Sequence, residues 1–574
     1  MKKRVQYPLL AALLLIFLSS CSDNNQPSQV SAPPVETEHI EETKNDLLTK
    51  KKEISESLPM SRPVSPQMQQ KNRPPKSGKI LAMAQAPAPA VYEVDRGGFL
   101  PPRPPGNMES YNALEENRFI SAQNDPLSTF SIDVDSASYA NVRRFINSGQ
   151  LPPVGAVRVE EMINYFSYDY PVPQKGPFSL TAELGPAPWK PAHQLVRIGL
   201  KAKDIDRKGL PPSNLVFLID VSGSMNQPNK LPLLKKSLNL LIDQLGEKDR
   251  VAIVVYAGSD RVVLKPTPGS EKEKIRLAVD TLQSGGSTHG SQGIVTAYKL
   301  AEQTMMPNGN NRVILASDGD FNVGLSSRDE LQQLIEEKRK SGVYLTVLGF
   351  GMGNYHDDTM EILADKGNGN YGYIDSLLEA KKILVREMSG TLFALANDVK
   401  IQVEFNPALV EAYRLIGYEN RKLADEDFND DKKDAGEIGV GHTVTALYEI
   451  IPKGVEGAPT VDPLKYRKPA PARGYSNELL TVKLRYKPSG QPSSTMISRA
   501  ITQQSIPLAK TSNDFRFAAS VAGFGMLLKE SDHIGEMKYA ELLKLARTAK
   551  GTDANGYRAE FIRLVELGEM LAKK

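Results

Sequence analysis

Apolar strands alternate with amphipathic helices between residues 209 and 397. The run from Leu215 to Ile219 is almost continuously apolar, which is typical of a central strand buried on both faces. In the helix that follows, leucines recur every three or four residues, and Gly246 ends it. The turn at 258–260 indicates an antiparallel hairpin at one edge of the sheet. This alternation predicts a doubly wound α/β fold with a mostly parallel sheet, whose ligand sites lie at the carboxyl ends of the strands.

The pattern changes on both sides of that region. Residues 109–208 contain short strand-like and helix-like pieces, which predict a small α/β flank. After residue 398 the apolar period becomes two: Val399, Ile401 and Val403 alternate with polar residues, as in a strand with one face in water. About the last sixty residues have the spacing of helices. We therefore expect a central α/β domain at 209–397 and a C-terminal α+β domain at 398–574.

The N-terminus has the pattern of an export signal. Three basic residues precede an apolar run from Leu9 to Leu18, which is too short to cross a hydrocarbon layer of roughly 30 Å. Residues 1–20 are therefore predicted to be a signal peptide. Cys21, which follows Leu18-Ser19-Ser20, resembles the modified residue of the bacterial lipobox.

This resemblance implies that Cys21 is lipidated and becomes the mature N-terminus. Two or more acyl chains hold a protein stably on a membrane, whereas one does so only marginally. Ser22, which is not acidic, fits sorting to an outer membrane, with the protein facing the periplasm or the surface. The alternative is an ordinary signal peptide with an incidental cysteine.

The amino-acid composition excludes several structural and functional classes of protein. Fourteen of the 40 prolines fall between residues 22 and 106, so residues 21–108 are predicted to be a disordered tether that cannot bury enough apolar surface to fold. Lys and Arg number 71 against 68 Asp and Glu, and this balance argues against nucleic acid as a partner. A single cysteine excludes a disulfide framework, an iron–sulfur site and a thiolate zinc site.

Oxygen-bearing side chains gather where the predicted strands end. Asp220, Ser222 and Ser224 form a D-x-S-x-S motif directly after the first buried strand, Thr288 precedes a helix, and Asp318 follows another strand. Any one of the hydroxyl residues alone would be read as a helix cap. Five such residues at loops of one sheet favour a metal site instead. Hydroxyls and carboxylates suit a hard divalent cation, Mg²⁺ or else Mn²⁺.

Together these residues resemble the metal-ion-dependent adhesion site of the von Willebrand factor type A domain, which here would span 209–397. The resemblance implies that Ser222 and Ser224 bind the cation directly and that Thr288 does so in the ligand-bound state. It implies that Asp220 and Asp318 act largely through water.

Two longer segments, 229–234 and 314–324, resemble a subfamily of bacterial lipoproteins. In that subfamily the A domain lies between an N-terminal flank and a C-terminal domain of unassigned role. Two positions depart from the usual pattern: Ser317 replaces a threonine that is not a direct ligand, and His289 replaces a small residue at the rim of the site.

A cation with neutral direct ligands stays strongly electrophilic and attracts an anionic oxygen. The sequence therefore predicts a non-enzymatic adhesion or scaffold module that binds an Asp or Glu of a partner protein through the metal.

One alternative is a serine-type hydrolase using Ser287, His289 and Asp318, but His289 breaks the G-x-S-x-G pattern and no H-E-x-x-H occurs. The other is a structural lipoprotein with a vestigial metal site. The acidic run 425–437 lacks the spacing of a calcium loop and is interpreted as a solvated loop.

Overall fold

The computed structural model describes residues 109–573 except 113, 133–134, 207–208, 287–289, 320–327, 388–389, 391–392, 460–476 and 503–504. Its strands are β1 (Ile120–Ser121), β2 (Leu127–Ser131), β3 (Phe178–Ala187), β4 (Lys190–Ala202), β5 (Ser213–Asp220), β6 (Arg250–Tyr256), β7 (Asp260–Pro268), β8 (Asn310–Ser317), β9 (Tyr344–Phe350), β10 (Tyr371–Ile374), β11 (Ala394–Phe405), β12 (Val410–Ile416), β13 (Ile438–Gly439), β14 (Thr443–Pro452), β15 (Glu478–Pro488) and β16 (Thr495–Thr502). Its α-helices are α1 (Ala137–Asn147), α2 (Val159–Asn164), α3 (Leu231–Ile242), α4 (Lys272–Asp280), α5 (Gly290–Gln303), α6 (Arg328–Arg339), α7 (Asp357–Lys366), α8 (Leu377–Lys381), α9 (Asn513–Leu528), α10 (Tyr539–Ala549) and α11 (Tyr557–Ala572).

The central sheet has the strand order β10-β9-β8-β5-β6-β7. All neighbouring pairs are parallel except β6 and β7, which form the antiparallel hairpin expected at one edge. Every residue of β5 and β8 is buried, which includes both the apolar runs in the middle of each strand and the polar residues at its ends. The chain leaves β5 toward β6 and leaves β8 toward β9, so the strand order reverses between β5 and β8. A ligand site is expected at their carboxyl ends, and the predicted fold class is confirmed.

Helices cover both faces of this sheet. Helices α3 and α4, together with Ala380 of α8, pack on one face around a core that includes Phe217, Leu234 and Leu238. Helices α5, α6 and α7 pack on the other face, together with two alanines of α1. The last helix of the domain, α8, continues into a π-helical turn over Lys382–Arg386. Both faces of the sheet are therefore dry, which explains the near-continuous apolar runs of the central strands.

The segments before and after this domain fold together. One sheet has the order β1-β12-β14-β4-β3, and a second has the order β13-β11-β15-β16 with β2 paired to β11. Each sheet thus contains strands from both flanks, and the two sheets share one core that includes Phe130, Val196, Ile401 and Tyr448. Helices α9, α10 and α11 pack with α1 and α2 in a further core. The domain boundaries given above stay predictions.

The expectation that β11 has one face in water holds only at Glu404, which is exposed, because Lys400 and Gln402 on the same face are buried. Lys400 is 1% exposed and Gln402 is 6% exposed. The acidic loop covers this face: the Lys400 ammonium donates to the carbonyl oxygens of Asp427 and Asp430, and Phe428 is buried. Because backbone carbonyls satisfy the ammonium, the polar side chains are buried without an unpaired charge.

Among the helices that the structure describes, none combines the length and the apolar character that a membrane span requires. Residues 1–108, which include the predicted signal peptide, Cys21 and the tether, lie outside the described residues.

Candidate functional site

Asp220 is the last residue of β5 and is fully buried between β6 and β8. Its Oδ1 atom accepts a hydrogen bond from the Ser222 amide at 2.8 Å, and its Oδ2 atom accepts one from the Ser317 hydroxyl at 3.2 Å. Burial raises the pKa of Asp220 from 3.8 to about 6, and the neighbouring Asp318 carboxylate contributes to that rise. Two hydrogen bonds therefore fix the direction of a carboxylate that is costly to ionise.

The two serines of the motif lie side by side. Ser222 precedes a single turn of 3-10 helix, Gly223–Asn226, which brings its hydroxyl within 3.0 Å of the Ser224 hydroxyl. Ser222 is buried and Ser224 is exposed, so the pair connects the buried strand end with solvent. The Ser222 hydroxyl, although it stands at the N-cap position of this turn, makes no side-chain cap hydrogen bond.

The loop that leads to Thr288 is bonded to this turn. The Gly285 amide donates to the carbonyl of Val221 at 2.7 Å, and the Gly223 amide donates to the carbonyl of Gly286 at 3.2 Å. Gly286 has a φ of +91°, and a Cβ there would lie 3.1 Å from a backbone oxygen of Ala257, so a side chain is disfavoured on two grounds. Thr288 itself lies outside the described residues.

Asp318 follows β8 directly and is 3% exposed. Its Oδ2 atom accepts a hydrogen bond from the Lys230 ammonium at 2.8 Å. Lys230 is itself 5% exposed and precedes α3. The pair is therefore a buried salt bridge between two loops that meet at the end of the sheet.

Lys230 is a site residue that the sequence pattern did not single out, because it lies outside the D-x-S-x-S motif and carries no oxygen. The position of Lys230 just before α3 could nevertheless have identified it. A positive charge at the N-terminus of a helix opposes the helix dipole, so a lysine at that position indicates a carboxylate partner nearby.

The spacing of the two serines matches the needs of a divalent cation. Mg²⁺ binds oxygen at about 2.0–2.1 Å in octahedral geometry, so two adjacent ligands lie about 3.0 Å apart. The Ser222 and Ser224 hydroxyls, which are hydrogen-bonded to each other, have this same separation of 3.0 Å. In the described part of the chain no group of three or more His, Cys, Asp or Glu could hold a metal ion. A cation at this site would therefore need the hydroxyls.

The structure thus brings together Asp220, Ser222, Ser224 and Asp318 of the predicted set. Of the alternative hydrolase set, Ser287 and His289 lie outside the described residues, and Asp318 is paired with Lys230. The assignment of these residues to a metal site stays a prediction.

Three family descriptions match the chain. "von Willebrand factor type A domain" matches residues 214–384, "von Willebrand factor" matches 105–197, and "Uncharacterized protein YfbK, C-terminal" matches 390–571. The chain is 44% identical to the uncharacterized protein YfbK of Escherichia coli (strain K12) over 474 residues, which cover 80% of this chain and 81% of that protein.

Proteins of lower sequence identity are also similar to parts of the chain. The chain is 25% identical over 274 residues to human inter-alpha-trypsin inhibitor heavy chain H3, covering 44% of this chain and 30% of that protein. A solved von Willebrand factor type A protein from Catenulispora acidiphila is similar over 68% of this chain and 91% of that chain, with 15% identity and a TM-score of 0.37. The ArnB paralog VWA2 from Sulfolobus acidocaldarius is similar over 69% of this chain and 98% of that chain, with 14% identity and a TM-score of 0.33.

Proposed function

Because this chain belongs to the family of the Escherichia coli protein YfbK, with a von Willebrand factor type A domain at 214–384, we propose that it is a membrane-anchored binding module. The type A domain suggests a protein-interaction or adhesion module, and proteins with this domain are generally not enzymes. In the proposal, the domain holds a partner protein outside the cytoplasm through a divalent cation. Mg²⁺ is the expected ion, with Mn²⁺ as its substitute.

The observation that carries this proposal is the 3.0 Å separation of the Ser222 and Ser224 hydroxyls. In the proposal both hydroxyls bind the cation directly, and Thr288 completes the set of hydroxyl ligands. Asp220 and Asp318 act through water, since protein donors already contact their carboxylates. When bound, the cation supplies a Lewis-acidic position that accepts one more oxygen ligand.

The charge of the ligands determines what that position accepts. Hydroxyl ligands add no negative charge, so the cation keeps most of its attraction for an anionic oxygen. A side chain of Asp or Glu on a partner protein can provide that oxygen and reach the edge of the sheet where Ser224 is exposed. The proposed partner is therefore a protein with an accessible acidic residue.

The anchor is the second part of the proposal. Lipidation at Cys21 would hold the protein on a membrane, and Ser22 fits the outer membrane of the cell envelope. Mass spectrometry of the mature N-terminus tests this directly. We expect a lipid-modified cysteine at position 21, and an unmodified Cys21 would refute the anchor while leaving the metal site untouched.

Calorimetric titration of the purified protein with Mn²⁺ tests the metal site. We expect saturable binding in the wild type and at least about a tenfold loss in Ser222→Ala, because a direct ligand is removed. Ser341→Ala is the matched control: this exposed serine lies in the same domain, and its hydroxyl donates to the backbone carbonyl of Lys338. Absence of saturable heat in the wild type would favour a vestigial site.

Retention of a partner from membrane extract tests the function. The partner should bind to wild type and Ser341→Ala in Mg²⁺, and chelation or Ser222→Ala should release it. Substitution of one acidic residue in the identified partner should abolish binding. Turnover of ester or peptide substrates by pure protein would favour the hydrolase instead.

A further inference from the structure

A positive side chain contacts one carboxylate of the candidate metal site. The Lys230 ammonium is 2.8 Å from Asp318 Oδ2, and both side chains are almost completely buried, with 6% and 2% of their area exposed. A buried ion pair of this kind requires close geometry to repay the loss of hydration of both groups. The Asp318 carboxylate in turn lies close enough to Asp220 to contribute to the raised pKa of that residue, so the ion pair and Asp220 form one group of charges at the end of the sheet.

The backbone makes room for the lysine. Gly351, in the loop after β9, has a φ of +84°, and a Cβ there would lie 2.3 Å from the Lys230 Cε atom. Glycine is therefore needed on two counts: its backbone lies in the left-handed region, and the lysine stem crosses the space that a side chain would fill. Loops from three strands, β5, β8 and β9, thus converge to place this ammonium on Asp318.

The three charged side chains described at the site, Asp220, Asp318 and Lys230, sum to −1 when both acids are ionised. A divalent cation brings the total to +1. Without the lysine, the two carboxylates alone would carry a charge of −2, and the divalent cation would bring the total to zero. The lysine therefore repels the incoming cation and leaves the loaded site with a positive charge that a carboxylate would neutralise.

We propose that Lys230 is a specificity-determining residue that lowers the affinity of the site for the bare cation and raises the affinity of the loaded site for an anionic oxygen ligand. This inference rests on the proposed function. The loaded site, with a charge of +1, favours a carboxylate on the partner over a neutral oxygen, because only an anion neutralises that charge. The lysine acts through the field at the site and through its bond to Asp318.

Two binding measurements on the full mature protein test this role. Mn²⁺ binding is measured by the loss of the free-ion electron paramagnetic resonance signal. Acetate binding to the Mn²⁺-loaded protein is measured by the paramagnetic relaxation of its carboxyl carbon. Lys230→Met removes the charge and keeps most of the stem, whereas Lys230→Arg keeps the charge.

We expect Lys230→Met to bind Mn²⁺ about tenfold more tightly than wild type, because the ammonium that repels the cation is gone. The Mn²⁺-loaded variant should bind acetate more weakly, because the same positive charge no longer attracts the anion. Lys230→Arg should stay close to wild type in the acetate measurement. Thermal unfolding in chelator and in Mn²⁺ checks folding: Lys230→Met should gain more stability from Mn²⁺ than wild type does.

Equal or weaker Mn²⁺ binding by Lys230→Met, with both proteins loading the ion, would overturn the role of Lys230 alone. Unchanged acetate affinity would do the same. No saturable Mn²⁺ binding in either protein would overturn the proposed metal site and this role with it. If Lys230→Met does not fold, Lys230→Arg decides: a large loss of acetate affinity in a charge-preserving variant would overturn the proposal.

Discussion

Replacing Asp220 by asparagine should stabilise the protein in the absence of metal while removing its ability to bind one. Burial, together with the nearby Asp318 carboxylate, raises the pKa of Asp220 from 3.8 to about 6. The native state thus holds this proton more tightly than the unfolded chain does. Between about pH 4 and pH 6 the native state binds more protons, so stability falls as the pH rises.

A shift of about two pKa units corresponds to about 3 kcal/mol. Ionised Asp220 therefore costs the native state about that much above pH 6, and the cost disappears below pH 4. Asparagine is neutral at every pH and can keep both hydrogen bonds: its oxygen can accept from the Ser222 amide, and its amide can donate to the Ser317 hydroxyl. Asp220→Asn should remove the cost without altering the packing.

Urea denaturation in chelator, followed by far-ultraviolet circular dichroism, measures this. At about pH 7.5 Asp220→Asn should be more stable than wild type by up to about 3 kcal/mol, and the difference should shrink toward zero near pH 4. Asp249→Asn is not a suitable control, since that carboxylate caps a loop through two backbone amides. The exposed Asp532 is a better site for a matched substitution. A wild type more stable than Asp220→Asn at pH 7.5 would show that ionised Asp220 does not destabilise the native state.

Two further predictions concern side chains around the site and the flanks. Arg143→Met should lower the free energy of unfolding by about 3–5 kcal/mol, because it removes the cation that pairs with the largely buried Asp375 carboxylate and the buried Glu379 carboxylate. Arg118 forms an exposed ion pair, so Arg118→Met should change the free energy of unfolding by less than about 1 kcal/mol. Gly351→Ala should displace Lys230 and cost about 1–3 kcal/mol more than Gly353→Ala, which shares the positive φ but has nothing within 4 Å of the new Cβ. Urea denaturation checks both, and equal losses in either pair of variants would contradict the contacts described.

Local signals in the sequence were sufficient for the central domain. A strand buried on both faces must be apolar throughout, so the apolar run from Leu215 to Ile219 is by itself enough to place that strand in the middle of a parallel sheet. The motif that follows then lies at a strand end, where ligand sites of such sheets occur. Asp220, Ser222, Ser224 and Asp318 do lie together at that edge.

Contacts between distant parts of the chain were not predictable in this way. The pairing of β2 with β11, in which Phe130 lies opposite Ile401, joins the two flanks into shared sheets. An alternating pattern shows which face of a strand is buried but does not identify its partner. For the same reason the sequence pattern could not predict the burial of Lys400 or the pairing of Lys230 with Asp318, since each depends on a loop from a distant part of the chain.

In the proposed metal site, two serine hydroxyls and their neighbours surround one divalent cation. A crystal structure of the protein soaked in Mn²⁺, with anomalous diffraction data, tests it most directly. We expect a single anomalous peak about 2.1–2.3 Å from the hydroxyl oxygens of both Ser222 and Ser224, with water between the ion and Asp220. A well-ordered site without a peak, or a peak that contacts neither hydroxyl, would contradict it.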